Sequence, residues 1–135
     1  MTTTTAMLDT NPQPIALDRR KLAATIDALT ECAATCTSCA DACLGEDMVA
    51  DLTTCIGRNL TCADVCGTAA RVLSRHNGYD ATISAAVLQA CIAACRACGD
   101  ECARHAGMHE HCRLCAESCR ACLQACEDLL NTVSA

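Results

Sequence analysis

Sixteen cysteines stand in a chain of 135 residues, and no two are adjacent. Cys32, Cys36, Cys39 and Cys43 are separated by steps of four, three and four, and Cys91, Cys95, Cys98 and Cys102 repeat that rhythm. Cys112, Cys115, Cys119, Cys122 and Cys126 extend it, while Cys55, Cys62 and Cys66 follow it with Asn59 in the missing step. Steps of three and four place every thiol of a run on one face of an α-helix. In a helical bundle that face usually carries leucine into the core. Here it is a row of thiols.

Several chemistries use thiols, and the spacing weighs differently on each. Cysteine packs as a small apolar residue, which accounts for a few buried copies but not for a whole stripe. Disulfides within a helix are strained, because Cβ atoms four residues apart lie about 5–6 Å from each other and a disulfide needs about 3.8 Å. Disulfides between helices remain open. A redox C-x-x-C gains its reactivity at a helix N-terminus beside a sheet. Cys36-x-x-Cys39 and its copies fall mid-helix, and no segment reads as a strand. Iron–sulfur ferredoxins use C-x₂-C-x₂-C loops that often end in Cys-Pro, and the chain has neither. Structural zinc takes four ligands, commonly from turns. Many such sites along a helical seam are awkward but possible.

Cu(I) fits the row best. It is a soft ion that selects thiolates and thioethers. With metal–sulfur bonds of about 2.3 Å, as for zinc thiolates, a linear pair spans about 4.6 Å. Thiols at i and i+4 reach that span by choice of rotamer. Each C-x-x-x-C, such as Cys32/Cys36 or Cys91/Cys95, is then a two-coordinate site, and each C-x-x-C joins one site to the next. Two thiolates on a +1 ion leave a net negative charge, which is costly to bury, so sharing thiolates between ions is favoured.

The elements that must position this row follow from the breaks in the pattern. Residues 1–16 read as a flexible tail with Pro12 and Pro14 as helix breakers. Residues 17–135 read as one storage domain. Gly45, Asn77-Gly78 and Gly107 divide it into helices over about 17–44, 47–75, 80–105 and 108–132. Short loops between long helices predict an all-α, antiparallel up-down-up-down four-helix bundle with a Cys-lined core. With no Phe or Trp and only Tyr79, that core must be built from aliphatic residues and cysteine. The halves repeat at an offset of 59–60 residues, so that Cys32–Cys43 matches Cys91–Cys102 and Met48 matches Met108. At one end the seam runs into Leu22, Leu29, Leu73, Leu88 and Leu129. At the other it runs into Met48, Leu52, His105 and Met108, with His109 and His111 close by. His105, on the seam one step past Cys102, is the favoured histidine ligand. Met48, Met108, His109 and His111 are expected around an entrance for copper, and His76 and Tyr79 read as ordinary loop residues.

The net charge of −6 argues against a nucleic-acid partner. No stretch carries a secretory pattern, and none reaches the roughly 18 apolar residues of a membrane span. The expected setting is the cytoplasm, where thiols stay reduced.

The two C-x₃-C-x₂-C-x₃-C runs at Cys32–Cys43 and Cys91–Cys102 resemble the cytosolic copper storage proteins, cysteine-rich four-helix bundles sometimes called four-cysteine ferredoxin-like. So do the longer run at Cys112–Cys126 and the set Cys55, Cys62 and Cys66. The resemblance covers about residues 17–133. It implies a homotetramer of bundles, many Cu(I) ions per chain, and a storage or detoxification role rather than catalysis. Expected partners are copper ions, with a copper chaperone or small-thiol donor supplying them. Asn59 interrupts a ligand row and departs from the pattern; it either leaves a gap or offers its amide oxygen as a weak ligand. The alternative function is a redox module, an iron–sulfur electron carrier or a thiol oxidoreductase.

Overall fold

The computed structural model describes residues 2–133. Five α-helices occur among them: α1 (Thr3–Thr10), α2 (Arg19–Leu44), α3 (Thr53–Leu73), α4 (Ala81–His105) and α5 (Glu110–Leu130), with a 3₁₀ turn at Val49–Leu52 before α3. Helices α2 to α5 form the expected bundle. Each packs its backbone against two neighbours in the order α2, α3, α4, α5 and back to α2, and among the described residues the diagonal pairs meet only through side chains, as Cys36 does with Cys98 at 3.8 Å. The diagonal is filled by side chains, so the bundle has a single axial core.

Local chemistry sets where the helices begin. Asp18 caps α2 by accepting from the Lys21 amide at 2.9 Å, and Asp80 caps α4 by accepting from the Thr82 amide at 2.8 Å. Each carboxylate satisfies a donor that the first turn leaves free. Gly78 turns the chain between α3 and α4 with φ of 70°, a left-handed conformation that costs glycine little. Gly99 on α4 lets α5 approach: a Cβ there would lie 3.2 Å from the Cys119 Cβ. Contrary to the expectation that no stretch reaches the apolar length of a membrane span, helix α4 does so by length and composition. In the bundle its four cysteines are buried against the other helices.

Two expectations about the ends of the domain need correction. Residues 1–16 were expected to be a flexible tail, yet Thr3–Thr10 is helical and Leu8 is buried against the bundle. The Thr4 hydroxyl donates to Asp27, and Arg19 pairs with Asp9 at 3.3 Å, so polar contacts also fasten α1 to α2. Eight residues are too few for an isolated helix, and the docking supplies what local propensity lacks. His76 is not an ordinary loop residue. It is buried at the aliphatic end, and neither ring nitrogen has a hydrogen-bond partner. Burial accordingly pushes its pKa below the usual histidine value.

Candidate metal centre

All sixteen cysteines are free and buried. The heptad register places them as the sequence requires, with α2 and α4 each giving four, α5 five and α3 three around Asn59. Beyond them at one end, Leu22, Leu29, Leu73, Leu88 and Leu129 close the core.

The sulfur atoms lie close together. Along one helix Cys32 and Cys36 are 3.8 Å apart, as are Cys62 and Cys66. Across helices Cys36 meets Cys119 at 3.7 Å, Cys66 meets Cys95 at 3.6 Å and Cys55 meets Cys102 at 3.6 Å. These are contacts between separate thiols, far longer than an S–S bond of about 2.05 Å. They fall somewhat short of a linear S–Cu–S span of about 4.6 Å, a difference that rotation about the Cα–Cβ bond supplies.

The sulfurs gather into overlapping groups whose ligand atoms lie within 4.8 Å of one another. Cys32, Cys66, Cys95 and Cys122 make one group, with a single thiol from each bundle helix. Cys32, Cys36, Cys62 and Cys119 make the next, and Cys36, Cys98, Cys115 and Cys119 a third. Cys39, Cys102 and Cys115 continue the row towards Cys39, Cys43, Cys112 and His111. Neighbouring groups share Cys32, Cys36, Cys119, Cys115 or Cys39, so a thiolate in one group can bridge into the next. Asn59 faces this row. Its Oδ1 accepts from Cys98 at 3.0 Å, Cys115 at 3.3 Å and Cys102 at 3.4 Å.

So dense a set of thiols pulls neighbouring pKa values apart. Hydrogen bonds from Cys122 and Cys91 lower Cys126 to about 5, and the bond to Cys126 pushes Cys91 up to about 12. The bond from Cys102 leads in lowering Cys39 to about 6, with help from His111. Burial pushes Cys43 up to about 12. Hydrogen bonding between neighbouring thiols thus makes one partner more acidic and the other less so.

The histidine end is arranged differently from expectation. His105, expected on the seam, turns its Nε2 to Glu101 Oε2, one turn back on α4, at 2.9 Å. His111 takes the place beside the thiols: its Nδ1 lies 3.4 Å from Cys39 Sγ and 3.6 Å from Cys112 Sγ. Its other nitrogen, Nε2, lies 3.3 Å from Glu46 Oε2, and His109 Nδ1 contacts the same oxygen. Burial lowers the His111 pKa, but the bonds to Cys39 and Glu46 outweigh it and leave it raised. Met48 and Met108 remain at this end but are 49% and 68% exposed. Sequence reasoning missed Glu46 and Glu101 as histidine partners. An acidic residue in the loop after α2 and another four residues before His105 were the available signals.

Comparison with known proteins agrees with this geometry. The family profile described as copper storage protein matches residues 18–131. The copper storage protein Ccsp from Streptomyces lividans, in a structure loaded with 10 copper equivalents, is 58% identical, with a TM-score of 0.95 over 96% of this chain and 99% of that one. A second structure, described as copper loading to a cytosolic copper storage protein from Streptomyces lividans with five coppers, is 61% identical over 85% of this chain and 96% of that one, with a TM-score of 0.84. The cysteine-rich protein YhjQ of Bacillus subtilis (strain 168) is 34% identical over 95 residues, covering 70% of this chain and 82% of that protein.

Proposed function

The chain belongs to the copper storage protein family, and from that premise we propose that it stores and detoxifies copper by holding many Cu(I) ions along its cysteine row. The observation that carries this reading is the run of overlapping thiol groups joined by shared members. An isolated binding site needs no shared ligands, whereas a store needs many ions in little volume. Each Cu(I) entering a pair of thiols displaces their protons and binds two thiolates. Bridging lets the next ion reuse one of them, which limits the negative charge left in the core. The sixteen cysteines are the principal ligands, Asn59 Oδ1 and His111 Nδ1 supplement them, and residues 17–135 are the storage domain to which 1–16 is appended.

Copper is admitted at the end that holds Met48, His105, Met108, His109 and His111. Thioether and imidazole bind Cu(I) without adding negative charge, so they pass it to the thiolates beyond. The role is storage without catalysis, in the cytoplasm, with a homotetramer as the assembled form and a copper chaperone or small thiol as the donor. The cytosolic Streptomyces relative supports this setting.

Anaerobic Cu(I) titration of reduced protein with elemental analysis tests the reading. Capacity should exceed about four ions, the number that sixteen thiols could hold as unshared tetrahedral zinc sites. With zinc and Cu(I) supplied equally, copper should occupy the core. Zinc retained there would instead make the protein a zinc store.

A further inference from the structure

The thiol row does not account for Glu46. This carboxylate lies just beyond α2, and among the described residues its charge partners within 4 Å are the imidazoles of His109 and His111 alone. Both histidines reach the same atom, Oε2, and their rings stack with centroids 5.5 Å apart and planes inclined by 21°. His111 therefore faces two ways. Its Nδ1 serves the soft thiols Cys39 and Cys112, and its Nε2 serves an outer set of oxygen and nitrogen donors. The outer set is open to solvent, with side chains 31%, 14% and 27% exposed for Glu46, His109 and His111.

We propose that Glu46, His109 and His111 form a second metal site, for a borderline divalent first-row cation of the zinc class, at the mouth of the thiol row. The donor chemistry selects the ion. Two imidazoles and a carboxylate suit Zn(II) or Co(II) and leave a coordination position for water. The soft, singly charged Cu(I) gains little from the carboxylate. The charge agrees as well, because one carboxylate on a divalent ion leaves a net positive charge that water can solvate. This site rests on the storage reading only for its role. A divalent ion held there stands beside Cys39, Cys43 and Cys112 and retards the loss of copper from the loaded core.

Cobalt titrated anaerobically into Cu(I)-loaded protein tests the site. One equivalent should bind, with weak d–d bands and no sulfur-to-cobalt charge transfer. Zinc should compete for it and slow copper removal by a chelator several-fold. Glu46→Gln should weaken cobalt binding by about tenfold or more and abolish the zinc effect, while Cu(I) capacity falls by no more than the one ion nearest His111. Glu46→Asp, which keeps the carboxylate, should restore part of the binding. Absence of binding, a thiolate charge-transfer band, or full affinity in Glu46→Gln would each overturn the proposal, as would a Glu46→Asp variant that is folded but no better than Gln. Loading is checked first by elemental analysis, so a failure at that step falls on the storage reading. Cobalt is then titrated into apo wild type and apo Glu46→Gln, and equal numbers of equivalents bound without sulfur charge transfer overturn the site.

Discussion

The two ends of the bundle are built on the same heptad seam and differ in what occupies it. At one end Leu22, Leu29, Leu73, Leu88 and Leu129 are fully or almost fully buried. At the other the seam ends in Cys39, Cys43, Cys112 and His111. The aliphatic end gains its stability chiefly from apolar burial. The thiol end gives up part of that gain in exchange for donors. One fold thus separates the part that holds it together from the part that binds ions. A consequence is that the reduced, metal-free protein should already be folded, unlike a zinc finger.

The largest expected effect divides the two ends by stability. Leu88→Ala should destabilise the reduced apo protein by about 2–5 kcal/mol, read by urea denaturation, and leave the initial rate of copper loading unchanged. A loading defect in folded Leu88→Ala protein would break the division. Next, replacing Cys36 and Cys119 with alanine removes two of sixteen thiols. Because each belongs to two groups, Cu(I) capacity by elemental analysis should fall by more than that one-eighth share. A proportional loss would mean that the thiols act independently. Third, replacing His105, His109 and His111 together should slow copper loading from a chelator several-fold in stopped flow and cost only the one or two ions nearest the mouth. Equal rates would move the entrance elsewhere.

The smallest effect concerns pH, where the ends have opposite signs. His76 at the aliphatic end has a folded pKa lowered by burial. The unfolded chain therefore binds its proton more readily. The neutral ring's contribution is present above the ordinary value of about 6.5 and is lost as pH falls below it. His111 has a raised folded pKa, so its contribution is full below about 6.5 and is lost as pH rises through the raised value. His76→Leu should reduce the loss of apo stability between neutral pH and about 5, whereas His111→Gln should reduce the loss on the alkaline side. Denaturation midpoints across that range would show either sign reversed.

The bundle was legible because its signal is long. The cysteine rhythm spans many helical turns, and Gly45, Asn77-Gly78 and Gly107 interrupt it where the chain reverses. Helix α1 was not legible, since its threonine-rich sequence has weak helical propensity and it is held by the burial of Leu8 against the bundle. At the site, the thiol groups followed from register, but the choice between His105 and His111 did not. Register fixes where a Cα lies, while the ring direction is set by Glu101 for one histidine and by Glu46 for the other. Glu46 and His111 are 65 residues apart in sequence, a separation across which periodicity carries no information.

Shared thiols also bear on how an ion travels once inside. Cys32, Cys36 and Cys119 each border two adjoining groups. An ion bound to one of them can exchange a single bond and occupy the next group without ever being bare. Movement along the axis then becomes a sequence of short hops between partners that never release their passenger, as on a one-lane track where each vacancy moves backwards as the ion moves forward.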